Sequence, residues 1–216
     1  MKLKITKKLF FDDTKPPISI AEISGNHNGK KSLFLKHILA AKKAGCELVK
    51  IQTYEANDLT LNSKKKNFIL KKGIWKNMDL WSLYKKAQTP FDWHYEAFNL
   101  ARRKNINLIS TPFSIRSLNF LKKFNPPVYK ISSFEITDLK LVYEIAKLRK
   151  PIILSTGLAN IREIKDSLNI INKFHNKVIL MYCVSSYPTK LEEIKFEKID
   201  ILRKKTGILN IGFSDH

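Results

Sequence analysis

One local pattern recurs along this chain and restricts its fold more than any other feature: a short apolar run, one or two polar residues at its end, then an amphipathic helical stretch. The runs at 18–24, 47–52, 107–110, 128–132, 151–154, 178–183 and 208–213 read as strands. Helical spacing fits 31–44, which meets Gly45, a residue that tolerates the left-handed turn at a helix end. Thr89-Pro90-Phe91-Asp92 reads as an N-cap, a proline in the first turn and a carboxylate, opening a helix to about Lys104. Further helices are expected over 114–124, 138–149 and 191–205, and another from the Asn160 to Glu163 cap signature to about Phe174. Segment 53–88 breaks the pattern and reads as an excursion with a short helix near 79–87.

Strict alternation with connections of this length implies parallel strands joined by right-handed crossovers. Two architectures then compete, an open doubly wound sheet and a closed barrel. The turn after the first strand, Ser24-Gly25-Asn26-His27-Asn28-Gly29, lacks the glycine spacing of a dinucleotide-binding fold. Nearly every strand also ends in polar residues, where barrel enzymes build their sites. The expectation is therefore an α/β chain of the TIM (βα)8 type, with seven strands present and the eighth missing. Residues 1–17 would form an N-terminal hairpin or extension, and 18–216 an incomplete barrel domain.

The strand ends carry Glu22, Lys50 with Gln52, Ser110 with Thr111, Lys130 with Ser133, Ser155 with Thr156, Ser185 with Tyr187, and Ser214-Asp215-His216. Lysines inside apolar strands are costly unless they meet negative charge. Lys50 and Lys130 surrounded by short hydroxyls therefore point to a carboxylate or phosphate ligand. Glu22 is open to two roles, a structural ion pair with Lys50 or a proton-transfer group. The hydroxyls taken singly also fit helix caps. His27 and His94 read as structural or exposed, and Trp93 and Tyr182 as packing residues.

A net charge of +21 raises the alternative of a non-catalytic basic nucleic-acid-binding protein. Against it, only six of the 40 basic residues are arginine, and the lysines are spread from end to end rather than clustered with aromatics. No nucleic-acid partner is expected. The longest apolar runs fall short of the roughly 18 residues of a membrane span, and the charged N-terminus is unlike a secretory signal, so no membrane association and a cytoplasmic location are expected. Cys46 and Cys183 stand in no metal or redox spacing.

Six motifs in order, Ala21 to Gly29, Val49 to Thr53, Ser110 to Phe113, Tyr129 to Ser133, Leu154 to Gly157 and Gly212 to His216, together resemble the sialic acid synthase family. Within it, Gly73-Ile74-Trp75, Ser133-Phe134-Glu135 and Ser185-Ser186-Tyr187-Pro188 are most similar to the pseudaminic acid synthase branch. The resemblance implies condensation of phosphoenolpyruvate with 2,4-diacetamido-2,4,6-trideoxy-L-altrose, releasing phosphate and forming a nine-carbon 2-keto sugar acid. N-acetylneuraminate synthesis is the neighbouring alternative. It implies that Lys50, Thr111, Lys130, Ser133, Ser155, Ser185 and Ser214 bind phosphoenolpyruvate, that Glu22 is the general acid/base, and that Gln52 and Tyr187 face the sugar. It further implies a divalent metal, Mn²⁺ or Mg²⁺, with His216 as one ligand, and a homodimer. The second ligand histidine and the C-terminal antifreeze-like domain of that family are expected to be absent here, and little activity is expected of these residues alone.

Overall fold

The computed structural model describes residues 2–6, 8–12 and 14–215. The chain divides into two compact units, one of Ile18–Pro126 and one of Met1–Pro17 with Pro127–His216. The N-terminal segment is an antiparallel hairpin of β1 (Lys2–Lys4) and β2 (Phe10–Asp12), which pairs Leu3 with Phe11.

The Ile18–Pro126 unit begins with β3 (Ile20–Glu22). This strand ends sooner than expected because Ser24 turns into the left-handed region at φ 47°. Helix α1 (Lys31–Lys43) buries Phe34, Ile38 and Ala41, one apolar stripe at helical spacing, and stops before Gly45 at φ +89°. After β4 (Leu48–Thr53), the excursion contains α2 (Ala56–Leu59), a 3-10 turn (Lys66–Phe68) and α3 (Leu80–Ala87). Glu55 and Asp58 cap α2 reciprocally, and Arg116 grips Glu55 at 2.7 Å, which ties the excursion down. Asp79 caps α3 by accepting the Ser82 N–H at 2.9 Å.

Helix α4 (Phe91–Arg103) corrects one expectation, since Pro90 rather than Thr89 occupies its cap position. The Thr89 hydroxyl is buried without a partner among the described residues and makes no cap bond there. Then come β5 (Leu108–Pro112) and α5 (Ile115–Lys122), which is capped by Ser114. Strands β3, β4 and β5 are parallel neighbours, with Glu22 beside Lys50 and Gln52 beside Thr111 in register.

In the second unit, β6 (Tyr129–Ile131) leads through a 3-10 turn at Glu135–Thr137 into α6 (Leu139–Ala146), capped by Asp138. Next come β7 (Ile152–Ser155) and α7 (Ile161–Asn172), where Asn160 and Glu163 form the expected capping box. After β8 (Val178–Cys183), the single helix expected over 191–205 is instead a 3-10 turn at Leu191–Glu193 followed by α8 (Glu197–Thr206). At the break the Lys195 N–H donates to the Tyr182 hydroxyl of β8 at 3.0 Å instead of to a helical carbonyl. Strand β9 (Ile211–Ser214) follows, so that β6, β7, β8 and β9 are parallel neighbours in chain order. Ile131, Leu141, Ile145, Ile152, Leu154 and Leu180 form the fully buried core of this unit.

Candidate functional site

Strand pleating decides which side chains of β4 and β5 can meet a ligand. Val49, Ile51 and Thr53 are fully buried, whereas the alternate residues Lys50 and Gln52 are only half-buried. In register, Gln52 stands beside Thr111 and Ile51 beside Ser110. Lys50, Gln52 and Thr111 therefore share one face, and Ser110 lies on the other.

On the first face the Lys50 ammonium pairs directly with the Glu22 carboxylate. Both ends keep some exposure, 14% and 31% of their side chains, so the pair is neutralised yet open on one side. The Ser24 N–H donates to the other Glu22 oxygen at 3.0 Å and fixes the carboxylate's direction. Thr111 is fully buried, and its hydroxyl has no partner among the described residues.

The opposite face holds a polar cluster in a buried setting. Thr53 Oγ1 lies 2.9 Å from His94 Nε2 and 2.6 Å from Ser110 Oγ, and Ser110 Oγ lies 3.1 Å from the Ile51 carbonyl. Ser110, counted among the strand-end residues from sequence, is thus occupied behind the strand. His94 is wholly buried, which excludes an exposed role, and His27 is buried between Phe34 and Trp93. Trp93 packs as expected.

In the second unit Lys130 sits between buried Tyr129 and Ile131. Burial pushes its ammonium down to about 8, against the opposing pull of the Cys183 thiol and the Glu135 carboxyl. Burial likewise pushes Glu135 up to about 7, despite the stabilising influence of its own backbone and of Lys130. Glu135 Oε2 has no hydrogen-bond partner among the described residues.

Beside Cys183, whose thiol acts on Lys130, the loops after three strands converge on Gly157. A methyl group there would lie 2.5 Å from Ser185 Oγ, 2.9 Å from Ser133 Oγ and 3.1 Å from Cys183 Cβ, so only glycine permits this approach. The Gly157 N–H donates to Ser133 Oγ at 3.3 Å. Ser155 is buried at the end of β7, and Ser214 stands beside Cys183 at the end of β9. Thr156 is committed elsewhere, since its hydroxyl donates to the Met181 carbonyl at 2.8 Å. Tyr187 is exposed, while Tyr182 packs on Phe213.

The second unit thus carries a buried cation, the hydroxyls of Ser133, Ser155, Ser185 and Ser214, and a glycine backbone at its strand ends, a donor set suited to an anion carrying several oxygens. Glu135, Gly157 and Cys183 were not singled out by strand-end reading. Gly157 was signalled only by its place in the Leu154 to Gly157 motif, and Glu135 by its place two residues after Ser133.

The metal expectation finds no support in these residues. His216 lies outside the described residues, and among the described ones no group of three or more His, Cys, Asp or Glu is placed to hold a metal ion. No described helix is long and apolar enough to cross a membrane.

Comparison with known proteins adds to this geometry. The NeuB family model matches residues 37–216. Pseudaminic acid synthase of Campylobacter jejuni subsp. jejuni is 42% identical over 207 residues, covering 95% of this chain and 60% of that protein. Pseudaminic acid synthase of Helicobacter pylori is 41% identical over 203 residues, covering 94% of this chain and 59% of that protein. The chain thus spans about 60% of the length of these curated relatives. Among solved structures, N-acetylneuraminic acid synthetase from Leptospira borgpetersenii, in complex with citrate, superposes with a TM-score of 0.85 at 28% identity. That match covers 100% of this chain and 70% of the other, and it shows the same α/β fold.

Proposed function

From the premise that this chain belongs to the NeuB family, we propose that it serves the condensation of phosphoenolpyruvate with an acetamido sugar of the pseudaminic acid type, 2,4-diacetamido-2,4,6-trideoxy-L-altrose. The observation that carries the reading is the Lys130 cluster, a buried ammonium held near 8 with Ser133 and Ser185 crowded on Gly157. An ammonium depressed by burial gains most from an arriving anion, because the ligand supplies the missing counter-charge. The 41–42% identity to two pseudaminic acid synthases favours that acceptor over N-acetylmannosamine.

In this reading the enol carbon of phosphoenolpyruvate attacks the open-chain sugar aldehyde. Water adds at the former enol-ether carbon, and the tetrahedral carbon loses phosphate by C–O cleavage. Lys130, Ser133, Ser155, Ser185 and Ser214 hold the phosphate and carboxylate oxygens, with Lys50 and Thr111 contributing from their own strands. Glu22 moves the proton, and its ion pair with Lys50 and the Ser24 N–H hold its carboxylate in place. Gln52 and Tyr187 face the sugar. The family resemblance implies a divalent metal as electrophile, but the described residues do not form a site for one, and no step here is routed through it. The (βα)8 barrel class and the homodimer belong to the same proposal.

The test is phosphate release on incubation with phosphoenolpyruvate, Mn²⁺ and each candidate sugar. Release with the diacetamido trideoxy sugar is expected, and release only with N-acetylmannosamine would overturn the acceptor assignment.

A further inference from the structure

We propose that His94 is a positioning residue for the anion-binding strand end of β4, acting from behind the sheet through Thr53 and Ser110. The inference rests on the functional reading above, because it concerns how Lys50, Gln52 and Thr111 are held on the ligand face.

The hydrogen-bond directions follow from the partners. His94 Nδ1 lies 3.2 Å from the Pro90 carbonyl, which can only accept, so Nδ1 carries the proton. The neutral ring must then accept at Nε2 from the Thr53 hydroxyl, 2.9 Å away. With its hydrogen committed, Thr53 Oγ1 accepts from Ser110, at 2.6 Å, and Ser110 shares that hydrogen with the Ile51 carbonyl at 3.1 Å. One tautomer of one side chain on α4 therefore sets the polarity of a relay that crosses from β4 to β5.

Burial keeps the ring in that neutral state, holding its pKa down at about 4. The Pro90, Gln52 and Phe91 backbones and the Asp92 carboxylate oppose this more weakly. Elsewhere the ring meets Phe91, Phe120 and Phe124, which bring no charge.

Position explains why such a relay bears on the site. A slip of one residue between β4 and β5 would flip one strand relative to the other, so that Lys50 and Gln52 would no longer share a face with Thr111. Apolar packing at Ile51 resists such a slip without fixing its direction, whereas the bonds from His94 through Thr53 to Ser110 tie the ends of β4 and β5 to α4 only in the observed register, and a Thr53–Ser110 bond without His94 loses that anchor. Thr53 also directly follows Gln52 at the end of β4, where the ladder has no further residue to restrain it.

His94→Phe tests this without stranding a polar group. The hydroxyl hydrogens can reverse, Thr53 donating to Ser110 and Ser110 to the Ile51 carbonyl, while the Pro90 carbonyl keeps the Trp93 N–H. His94→Gln retains an acceptor for Thr53 and a donor for Pro90. Three readouts on the full chain are compared: phosphoenolpyruvate affinity by calorimetry, amide hydrogen exchange, and the ¹⁵N shifts of the imidazole. His94→Phe is expected to weaken phosphoenolpyruvate binding by about tenfold and to speed exchange at residues 50–53 and 110–112 above the rest of the sheet. His94→Gln is expected to bind within about threefold of the parent. The parent imidazole should show the Nδ1–H tautomer and no titration near pH 6.5. Parental affinity and exchange in His94→Phe, equal loss in both variants, or an Nε2–H tautomer would overturn the proposal. If the parent itself fails to bind phosphoenolpyruvate, the functional reading falls. The positioning role is then decided by exchange, with uniform protection in His94→Phe refuting it.

Discussion

Val49-Lys50-Ile51 and Tyr129-Lys130-Ile131 are nearly the same local sequence, a lysine between two buried residues of a parallel strand, yet they reach different electrostatic solutions. In β4 the parallel register sets Glu22 beside Lys50, and the two charges meet directly. In β6 no carboxylate is in ion-pair contact with Lys130 among the described residues. Its environment responds instead through protonation, with the lysine held down near 8 and Glu135 up near 7. One lysine has its counter-ion in direct contact, while the other is buried with only the more distant influence of Cys183 and Glu135 to oppose that burial. The contrast teaches that a lysine in a strand does not by itself report a ligand site. What its register neighbour carries decides whether the charge is spent internally or kept for a ligand.

That contrast can be broken most forcefully at Lys130. Lys130→Met should weaken phosphoenolpyruvate binding by about 100-fold, as for loss of a charged hydrogen bond in a buried site, without lowering stability, because an uncompensated buried charge is removed. Calorimetry and chemical denaturation on the same protein check both halves. Unchanged affinity would mean that Lys130 is structural.

Gly157→Ala should cost about 2 kcal/mol of stability, since the new methyl collides with Ser133 and Ser185 and the loops must move apart. Denaturant midpoints measure it, and a neutral outcome would show that the hydroxyls are not held as close as described.

Lys50→Met should behave oppositely to Lys130→Met, lowering stability by about 1 kcal/mol because Glu22 loses its counter-charge while remaining partly open to water. Adding Glu22→Gln should restore most of that loss. A Lys50→Met protein as stable as the parent would erase the distinction between the two lysines.

Much of this was legible in the sequence, for identifiable reasons. The alternation of strands and helices follows from hydrophobic periodicity, and caps such as Asn160 with Glu163 announce themselves by spacing. The strand-end residues that converge on Gly157 were named because polar side chains end apolar runs. What escaped depended on contacts far apart in sequence. Ser110 and Thr111 are adjacent and chemically alike; pleating sends them to opposite faces, but only the register with β4 shows that Thr111 is the one that shares the face of Lys50 and Gln52. The helix expected over 191–205 is interrupted where Lys195 finds the hydroxyl of Tyr182, thirteen residues earlier. Thr89 and Pro90 read as a cap pair, but the chain starts the helix one residue later. The perturbed state of Glu135 arises from burial, which no local pattern encodes.

The anion-binding role of the Lys130 cluster is tested most directly by counting protons on ligand binding. With the ligand-free ammonium near 8, about half of the lysines are neutral at pH 8. A bound anion raises that pKa, so binding must draw a proton from solvent, and affinity must fall as pH rises above 8. Titration of the chain with phosphoenolpyruvate at pH 8, in two buffers of different ionisation enthalpy, should show uptake of about half a proton per ligand. Saturable binding with no proton uptake, or no binding at all, would contradict the account.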